Sequence, residues 1–457
     1  MSRKKNKIIS FLLVFLLMIL NFTSIGSIRV ANAQSKNLNE ETKANNSLLS
    51  NETMDKDVTS SAAVKKTLTS DGKVLNIVEI TDFHGQLKDS KDNLQIGAAL
   101  AEKVKEVKAS NENTLIIGGG DLYQGTPVSN VLKGVPVQKV LSEMGMEVTT
   151  LGNHEFDWGL DTIDNTTMDG ANYSIVCSNL YKKNSNERKY DPYKIINKNG
   201  IKIAVIGGIL NDVSSIVLPA NIKDYEVKDL ASEINKCADE IKEKDLADVT
   251  IAVVHEGKDQ LNNVVKNLNG NVDAVFGGHS HSIYDDVVSD STGKQIPVLN
   301  ACNAGKGYID LKIKLDDNNK VTGFSSKGTN WNAVSVNSDT KLDPEAKEIV
   351  NQAYDDIGST FNEVIGHDEV QYTSTQKGEP FGESELGNWM ADVVKNKAAA
   401  DIGIVNNGGI RLSPIQDGDI TVGTIFKVMP FDNTITTVKM NGAQLKKLIE
   451  QGIADNT

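Results

Sequence analysis

Cysteine is scarce: Cys177, Cys237 and Cys302 are the only three in 457 residues. An odd number allows at most one intramolecular disulfide, which excludes a scaffold built on disulfides. No two of them stand at metal-ligand spacing, so each reads as a small buried hydrophobe. An excess of positive charge is also missing, since 48 Lys and Arg face 61 Asp and Glu for a formal net charge of −13. That argues against a broad basic surface for nucleic acid polymers and against adhesion to an anionic membrane by charge. A small anionic ligand remains compatible, because metal ions and one or two arginines can hold it. There is no internal repeat.

Long apolar runs are absent except at the amino terminus. There "MSRKKNKIISFLLVFLLMILNF" has a basic start and an apolar stretch from Ile8 to Leu20, followed by "ANAQ" with small residues at Ala31 and Ala33. This pattern predicts a secretory signal peptide over residues 1–33, cut after Ala33, and hence an exported chain. A retained anchor is the alternative, but the stretch is shorter than the roughly 20 residues a span needs, so no stable membrane span is expected after cleavage. Residues 34–73 are rich in Ser, Asn, Thr, Lys and Glu and poor in large apolar residues, and read as a disordered leader. The remainder is long enough for two domains.

Short β-rich apolar runs alternate with helical periods from Val74 onward. The runs are "VLNIVEI" (74–80), "TLIIGG" (114–119), "EVTTLG" (147–152), "YSIVCS" (173–178), "IKIAVIG" (201–207), "DVTIAVV" (248–254), "VDAVFGG" (272–278) and "IPVLNA" (296–301). Between them, Ile96, Leu100, Val104 and Val107 share one helical face, as do Leu230, Ile234, Cys237 and Ile241. Strands apolar along most of their length are buried on both faces, which predicts a layered α/β core. A second unit begins near Leu342. "LDPEAKEIVNQAYDDIGSTF" predicts a helix bridging the two units, "EVIGHDEV" a strand and "LGNWMADVVKNKAA" a helix. "DIGIVNNGGIR" and "DGDITVGTIFKVMPFDN" predict a strand-and-turn region, and "MNGAQLKKLIEQGI" a last helix.

Polar residues cluster where the apolar runs stop. "ITDFHG" supplies Asp82 and His84, "GGGDLYQG" Asp121, "LGNHEFDWG" Asn153, His154 and Asp157, "VVHEG" His255, and "GGHSHS" His279 and His281. In layered α/β folds the carboxyl ends of adjacent strands converge on one crevice, so five of the six histidines point to one place. Imidazoles with carboxylates and one amide oxygen suit Zn, Mn, Fe or Co rather than Ca or Mg. Seven candidate ligands are too many for one four-coordinate ion and suit two ions sharing a carboxylate, about 3.5–4 Å apart. Gly118, Gly119 and Gly120, with Gly277 and Gly278, allow sharp turns close to ions or phosphate. Singly the motifs are weak: "DFH" and "HEG" could be surface turns, "GNHE" could open a helix capped by Asn153, and "GHSH" could be a chance pair. Their order along successive strand ends is what carries weight.

The ordered set D-x-H, G-D, G-N-H-[DE], H and G-H-x-H resembles the calcineurin-like metallophosphoesterase superfamily. "NNGGIR" (406–411) and "MPFDN" (429–433) narrow this to a resemblance to its secreted 5′-nucleotidase family, covering about Val74 to the end. The resemblance implies a layered αββα metallophosphoesterase domain over 74–335, a linker helix over 336–361, and a smaller α/β nucleotide-binding C-terminal domain over 362–457. It implies that Asp82, His84 and His281 hold one divalent ion, that Asn153, His255 and His279 hold the other, and that Asp121 bridges them. His154 would face the substrate and stabilise or protonate the leaving oxygen, oriented by Asp157. Asn406 would contact the nucleoside, Arg411 the phosphate, and Phe431 the base, with Gly408 and Gly409 letting the backbone approach.

Two departures from the family pattern stand out. Many relatives carry an arginine shortly before the segment matching "GESELGN" (382–388), where this sequence has "KGEPF"; and members continue well past the last helix, so the second domain is expected to be truncated. The expected function is an exported dinuclear-metal phosphohydrolase removing phosphate from nucleotides by in-line attack of a metal-bound hydroxide. Alternatives are a 2′,3′-cyclic-nucleotide 2′-phosphodiesterase with 3′-nucleotidase activity, a UDP-sugar hydrolase, and, in another class, a non-catalytic surface protein that binds nucleotide or metal. The partner implied is a small-molecule nucleotide, not a nucleic acid polymer.

Overall fold

The computed structural model describes residues 73–89, 94–373, 383–411, 413–431 and 433–454. The expected signal peptide, the leader up to residue 72, and "KGEPF" lie outside these residues. Among the described residues no helix is long and apolar enough to cross a membrane.

The strands that build the two main sheets are, in chain order, β1 (Lys73–Ile80), β2 (Thr114–Gly118), β3 (Val148–Thr149), β4 (Ser174–Ile175), β5 (Tyr193–Lys198), β6 (Ile201–Ile209), β7 (Val249–His255), β8 (Ala274–Phe276), β9 (Ile283–Ser289), β10 (Gln295–Ala301), β11 (Gly307–Leu315), β12 (Val321–Phe324) and β13 (Trp331–Ala333). One sheet has the order β12-β11-β1-β2-β3-β4, with β13 also on β11; the other has the order β9-β10-β8-β7-β6-β5. β1, β2, β3 and β4 are parallel neighbours, as are β6, β7, β8 and β10, while β11 runs antiparallel to β1.

Alternation along β1 explains the layering. Leu75 and Ile77 join Leu115, Ile117, Ile203, Val205, Ile251 and Val253 in the core between the sheets. Val78 and Ile80 face the other way and join Leu100, Val104 and Val140 beneath helices. Full burial of each such side chain contributes about 1.5–3 kcal/mol. The first sheet is covered by α1 (Ile96–Ser110) and α2 (Val135–Met144). The second is covered by α3 (Leu230–Glu243) and α4 (Lys258–Lys266). The predicted faces are the buried ones: Leu230, Ile234, Cys237 and Ile241 all lie in the core of the second sheet. Asp229 caps α3 by accepting the Ser232 N–H at 2.9 Å, a contact that contributes about 1 kcal/mol. The result is an αββα arrangement.

Helix α5 (Pro344–Phe361) begins later than the expected 336, because Asp343 caps it through the Ala346 N–H at 2.9 Å and Pro344 fixes the first turn. It is more than a linker. Ala346, Val350, Ala353, Ile357 and Phe361 are buried in the helical core above the first sheet, and Phe361 meets Phe426 of the C-terminal region with ring centroids 5.2 Å apart. That region contains β14 (Val364–Asp368), α6 (Glu385–Ala398), β15 (Gly418–Thr421), α7 (Val422–Val428) and α8 (Gly442–Ala454), with β14 and β15 antiparallel.

Several expectations need correction. In "DGDITVGTIFKVMPFDN" only Gly418–Thr421 is strand; Val422–Val428 turns into a helix, because the Thr421 hydroxyl accepts the Thr424 N–H at 3.1 Å and caps it. In "DIGIVNNGGIR" residues 402–406 form no strand, and Ile402 and Ile404 are exposed rather than buried against a sheet. The turn at Asn407–Gly409 is present as a short 3-10 helix. The edge strand β9, "IYDDVVS", gave no apolar run to read because only Tyr284 along it is buried and Asp285 and Asp286 interrupt it. All three cysteines are free thiols; Cys177 and Cys237 are buried as expected, whereas Cys302 is half-exposed.

Candidate metal centre

Every candidate ligand leaves the carboxyl end of a strand. Asp82 and His84 follow β1, Asp121 follows β2, Asn153 and His154 follow β3, His255 ends β7, and His279 and His281 follow β8. β1, β2 and β3 are adjacent in one sheet, and β7 and β8 in the other, so the loops meet across the sandwich. Five of these residues hold left-handed backbone conformations: Asp82 (φ 48°), His84 (50°), Asp121 (51°), His279 (65°) and His281 (52°). Each such non-glycine conformation costs on the order of 1–3 kcal/mol and persists only where surroundings over-determine it, a pattern found at functional sites.

Glycines make the close approach possible, though mostly not through positive φ. Of the five that the sequence singled out, only Gly120 has one, at 85°. Gly278 is needed for space, since a Cβ there would lie 2.6 Å from His255 Nδ1 and 2.8 Å from Thr81 Oγ1.

Asp82, His84 and His281 offer ligand atoms all within 4.8 Å of one another, and so do Asp121, His255 and His279. A further group, His84, Asp121 and His154, links the two. Within the first group His84 Nε2 stands 2.9 Å from His281 Nε2, and Asp82 Oδ1 is 3.3 Å from the latter. Within the second, His255 Nε2 stands 3.1 Å from Asp121 Oδ2. Backbone carbonyls set the ring orientations: His84 Nδ1 lies 3.0 Å from Gln124 O and His255 Nδ1 2.8 Å from Gly119 O, so each donates there and turns Nε2 inward. The His279 N–H donates to both Asp82 oxygens at 3.1 Å, and the Thr81 hydroxyl to Oδ2 at 2.8 Å.

The residues fit divalent cations. Asn153 Oδ1 and His255 Nε2 are buried atoms without a hydrogen-bond partner of good geometry, and both belong to the expected donor set. Asp82 and Asp121 are fully buried carboxylates with no Lys or Arg paired to them among the ion pairs of the described residues. Buried anions need a counter-charge. Burial disfavours a charged His255, yet Asp121 outweighs it and raises the imidazole pKa to about 10, so a histidine stands in for that charge. Burial lowers His84 to about 4, leaving its Nε2 a bare lone pair. The only other acidic group of this kind among the described residues, Glu143, Asp343 and Glu345, has Lys105 Nζ 2.5 Å from both Glu143 and Asp343 and needs no ion.

His154 sits beside this cluster, with its ring centroid 5.3 Å from that of His84. Its Nδ1 lies 2.7 Å from Asp157 Oδ2, and its backbone N–H donates to Asp121 Oδ1 at 2.7 Å. Burial works against its charge, but Asp121 and Asp157 prevail and raise its pKa, as a proton donor requires. Phe431 stacks on the His154 imidazole at 5.4 Å and 22°, and the Arg411 guanidinium lies over the Phe431 ring at 4.8 Å. Phe431 therefore does not stand open to a base in this arrangement. Asn406, Gly408 and Gly409 form a turn closed by the Gly409 N–H donating to Asn406 O at 3.1 Å, immediately before Ile410 and Arg411.

Three supporting residues escaped sequence reasoning. Glu155 does not merely sit in a first helical turn: its buried carboxyl accepts N–H groups from Asp121 (2.8 Å), Leu122 (2.9 Å) and Gly152 (2.6 Å), tying the Asp121 loop to the Asn153 loop. Burial, then the Asp121 charge, push its pKa up to about 7. Asn130 donates to Pro430 O at 2.6 Å and accepts from Trp158 Nε1 at 2.7 Å, which anchors the loop bearing Phe431 over the centre. The Glu of "GNHE" was the one available signal; Asn130 and Trp158 carried none.

Two family models match in tandem, Calcineurin-like phosphoesterase over residues 75–282 and 5′-nucleotidase, C-terminal domain over residues 364–457. The chain belongs to the 5′-nucleotidase-type calcineurin-like phosphoesterases. Members of this family are phosphoester hydrolases. Among its relatives, endonuclease YhcR of Bacillus subtilis (strain 168) is 27% identical over 413 residues, an alignment covering 83% of this chain but only 33% of that protein. The 5′-nucleotidase of Vibrio cholerae serotype O1 (strain ATCC 39315 / El Tor Inaba N16961) is 28% identical over 411 residues, covering 81% of this chain and 74% of that one. The fold matches the crystal structure of the 5′-nucleotidase precursor from Thermus thermophilus, with TM-score 0.67 at 24% identity over 79% of this chain and 75% of that chain.

Proposed function

We propose that this chain is an exported, dinuclear-metal phosphohydrolase that removes phosphate from nucleotides, with signal peptide 1–33, catalytic domain 74–335, connecting helix within 336–361 and nucleotide-binding region from 362. The observation that carries the reading is the meeting of two ligand groups, Asp82, His84 and His281 with Asp121, His255 and His279, linked through His84 and Asp121 beside His154, with Phe431 on His154 and Arg411 over Phe431. Asp82, His84 and His281 would hold one ion and Asn153, His255 and His279 the other, with Asp121 shared. Zn or Mn suits this donor set, and such ions polarise phosphoryl oxygens and lower the pKa of water at the site to about 7.

The chain's own residues supply the rest. Arg411 pairs with phosphoryl oxygens through its planar fork. His154, held by Asp157 at Nδ1, donates its Nε2 proton to the departing ribose oxygen. Phe431 leaves His154 to stack on the base, and Asn406, Gly408 and Gly409 flank the nucleoside. Protein loaded with Mn²⁺ or Zn²⁺ and offered AMP, 3′-AMP, 2′,3′-cyclic AMP and UDP-glucose tests the reading. Phosphate release fastest from AMP is expected, release from the cyclic or 3′ substrates alone shifts the substrate class, and binding without release removes the enzyme reading.

A further inference from the structure

A cavity of about 760 Å³ lies against His279 and Ser280, between the loop that follows β6 and the start of α4. It sits on the flank of the centre formed by His255 and His279, whose ring centroids are 5.4 Å apart. His154 and Phe431 do not line the cavity; His154 lies beside His84, and Phe431 stacks on His154. A phosphomonoester has one carbon arm, which the proposed reading places beside Phe431. A diester has a second arm, and the cavity beside His279, which Phe431 does not line, offers room for it.

The lining restricts what that arm can be. Leu210, Ala231 and Val264 form a buried apolar floor, and Ile216 stands half-exposed at the rim. Asn263 and Ser280 offer uncharged hydrogen-bonding groups. Four carboxylates, Asp212, Asp229, Glu256 and Asp259, face the cavity against the single cation Lys258, whose Nζ is drawn over the Tyr284 ring at 4.9 Å. Such a lining repels a further phosphate, and so disfavours a polynucleotide arm, while methylene and methyl groups or a cation are accommodated.

We infer that this cavity seats the second alcohol of a phosphodiester substrate, an alcohol that is neutral or cationic and carries no negative charge; the inference rests on the phosphohydrolase reading of the centre. The oxygen of water bonds to phosphorus, the P–O bond to the arm beside His154 breaks, and its electron pair stays on the departing oxygen, which takes a proton from His154. One proton of the attacking water stays on the new phosphate oxygen, the other returns to His154 through solvent, and the monoester of the cavity-seated alcohol is released.

The test compares two p-nitrophenyl phosphodiesters, one of choline and one of glycolate, with AMP, on the full chain with Mn²⁺. A kcat/KM for the choline diester about tenfold or more above that for the glycolate diester is expected. Asp212→Lys should shrink that preference about fivefold, and Asn263→Trp, which fills the cavity from an exposed position, should lower the diester-to-AMP ratio of kcat/KM about tenfold. Calorimetric binding of phosphorylcholine should weaken in both variants. Equal use of the two diesters, or ratios unmoved by both substitutions, overturns the inference. Hydrolysis of AMP with no diester turnover overturns it alone, whereas no hydrolysis of any substrate removes the phosphohydrolase reading beneath it.

Discussion

Replacing Asp121 by Asn removes the charge that the proposed reading shares between the two ions, while keeping an oxygen that can accept the His154 N–H. In the metal-free chain Asp121 is paired with fully buried His255, whose pKa it raises from 6.5 to about 10 against the opposing effect of burial. A group raised above its unfolded value stabilises fully below the unfolded pKa and loses that contribution as pH rises through the folded one, here between 6.5 and about 10. At about 1.4 kcal/mol per pH unit, the upper bound over that window is roughly 5 kcal/mol, close to the 3–5 kcal/mol lost when one partner of a buried pair is removed. Urea unfolding of chelator-treated protein should therefore show Asp121→Asn less stable by about 3–5 kcal/mol at pH 6 and by progressively less toward pH 10. Elemental analysis after reloading should show less metal bound. A loss of stability independent of pH, or none at pH 6, would refute the pairing on which the counter-charge reasoning depends.

His154→Ala should lower kcat about 10²–10⁴-fold with metal content unchanged, and a loss of metal would make His154 a ligand instead. Phe431→Ala should raise KM for AMP about tenfold through lost base stacking, and an unchanged KM would place the base elsewhere. Burial pushes the Cys177 thiol up from 9.0 to about 12, so the unfolded chain ionises first and stability falls as pH rises through that window. Cys177→Ala should flatten this decline in unfolding measurements at pH 8 and pH 10.5, and an unaltered slope would show that the thiol does not contribute.

What could be read from the chain alone was local. An apolar run that stops at a polar residue marks the end of a buried strand, so Asp82 and His255, and after glycine Asp121, Asn153 and His279, stood out from their sequence neighbours. The faces of α1 and α3 were equally legible, because spacing along one helix reports directly which side is buried. Tertiary structure decided the rest. Only the pairing of β1, β2 and β3 in one sheet and β7 and β8 in the other brings His84 to His281 and Asp121 to His255, residues far apart in sequence. The same docking turned Glu155 from a helix-start residue into the tie between the Asp121 and Asn153 loops, and set Phe431 on His154 through Asn130 and Pro430. Periodicity records how one segment meets solvent, whereas the partner of a buried polar group depends on which distant loops the stacked sheets bring together.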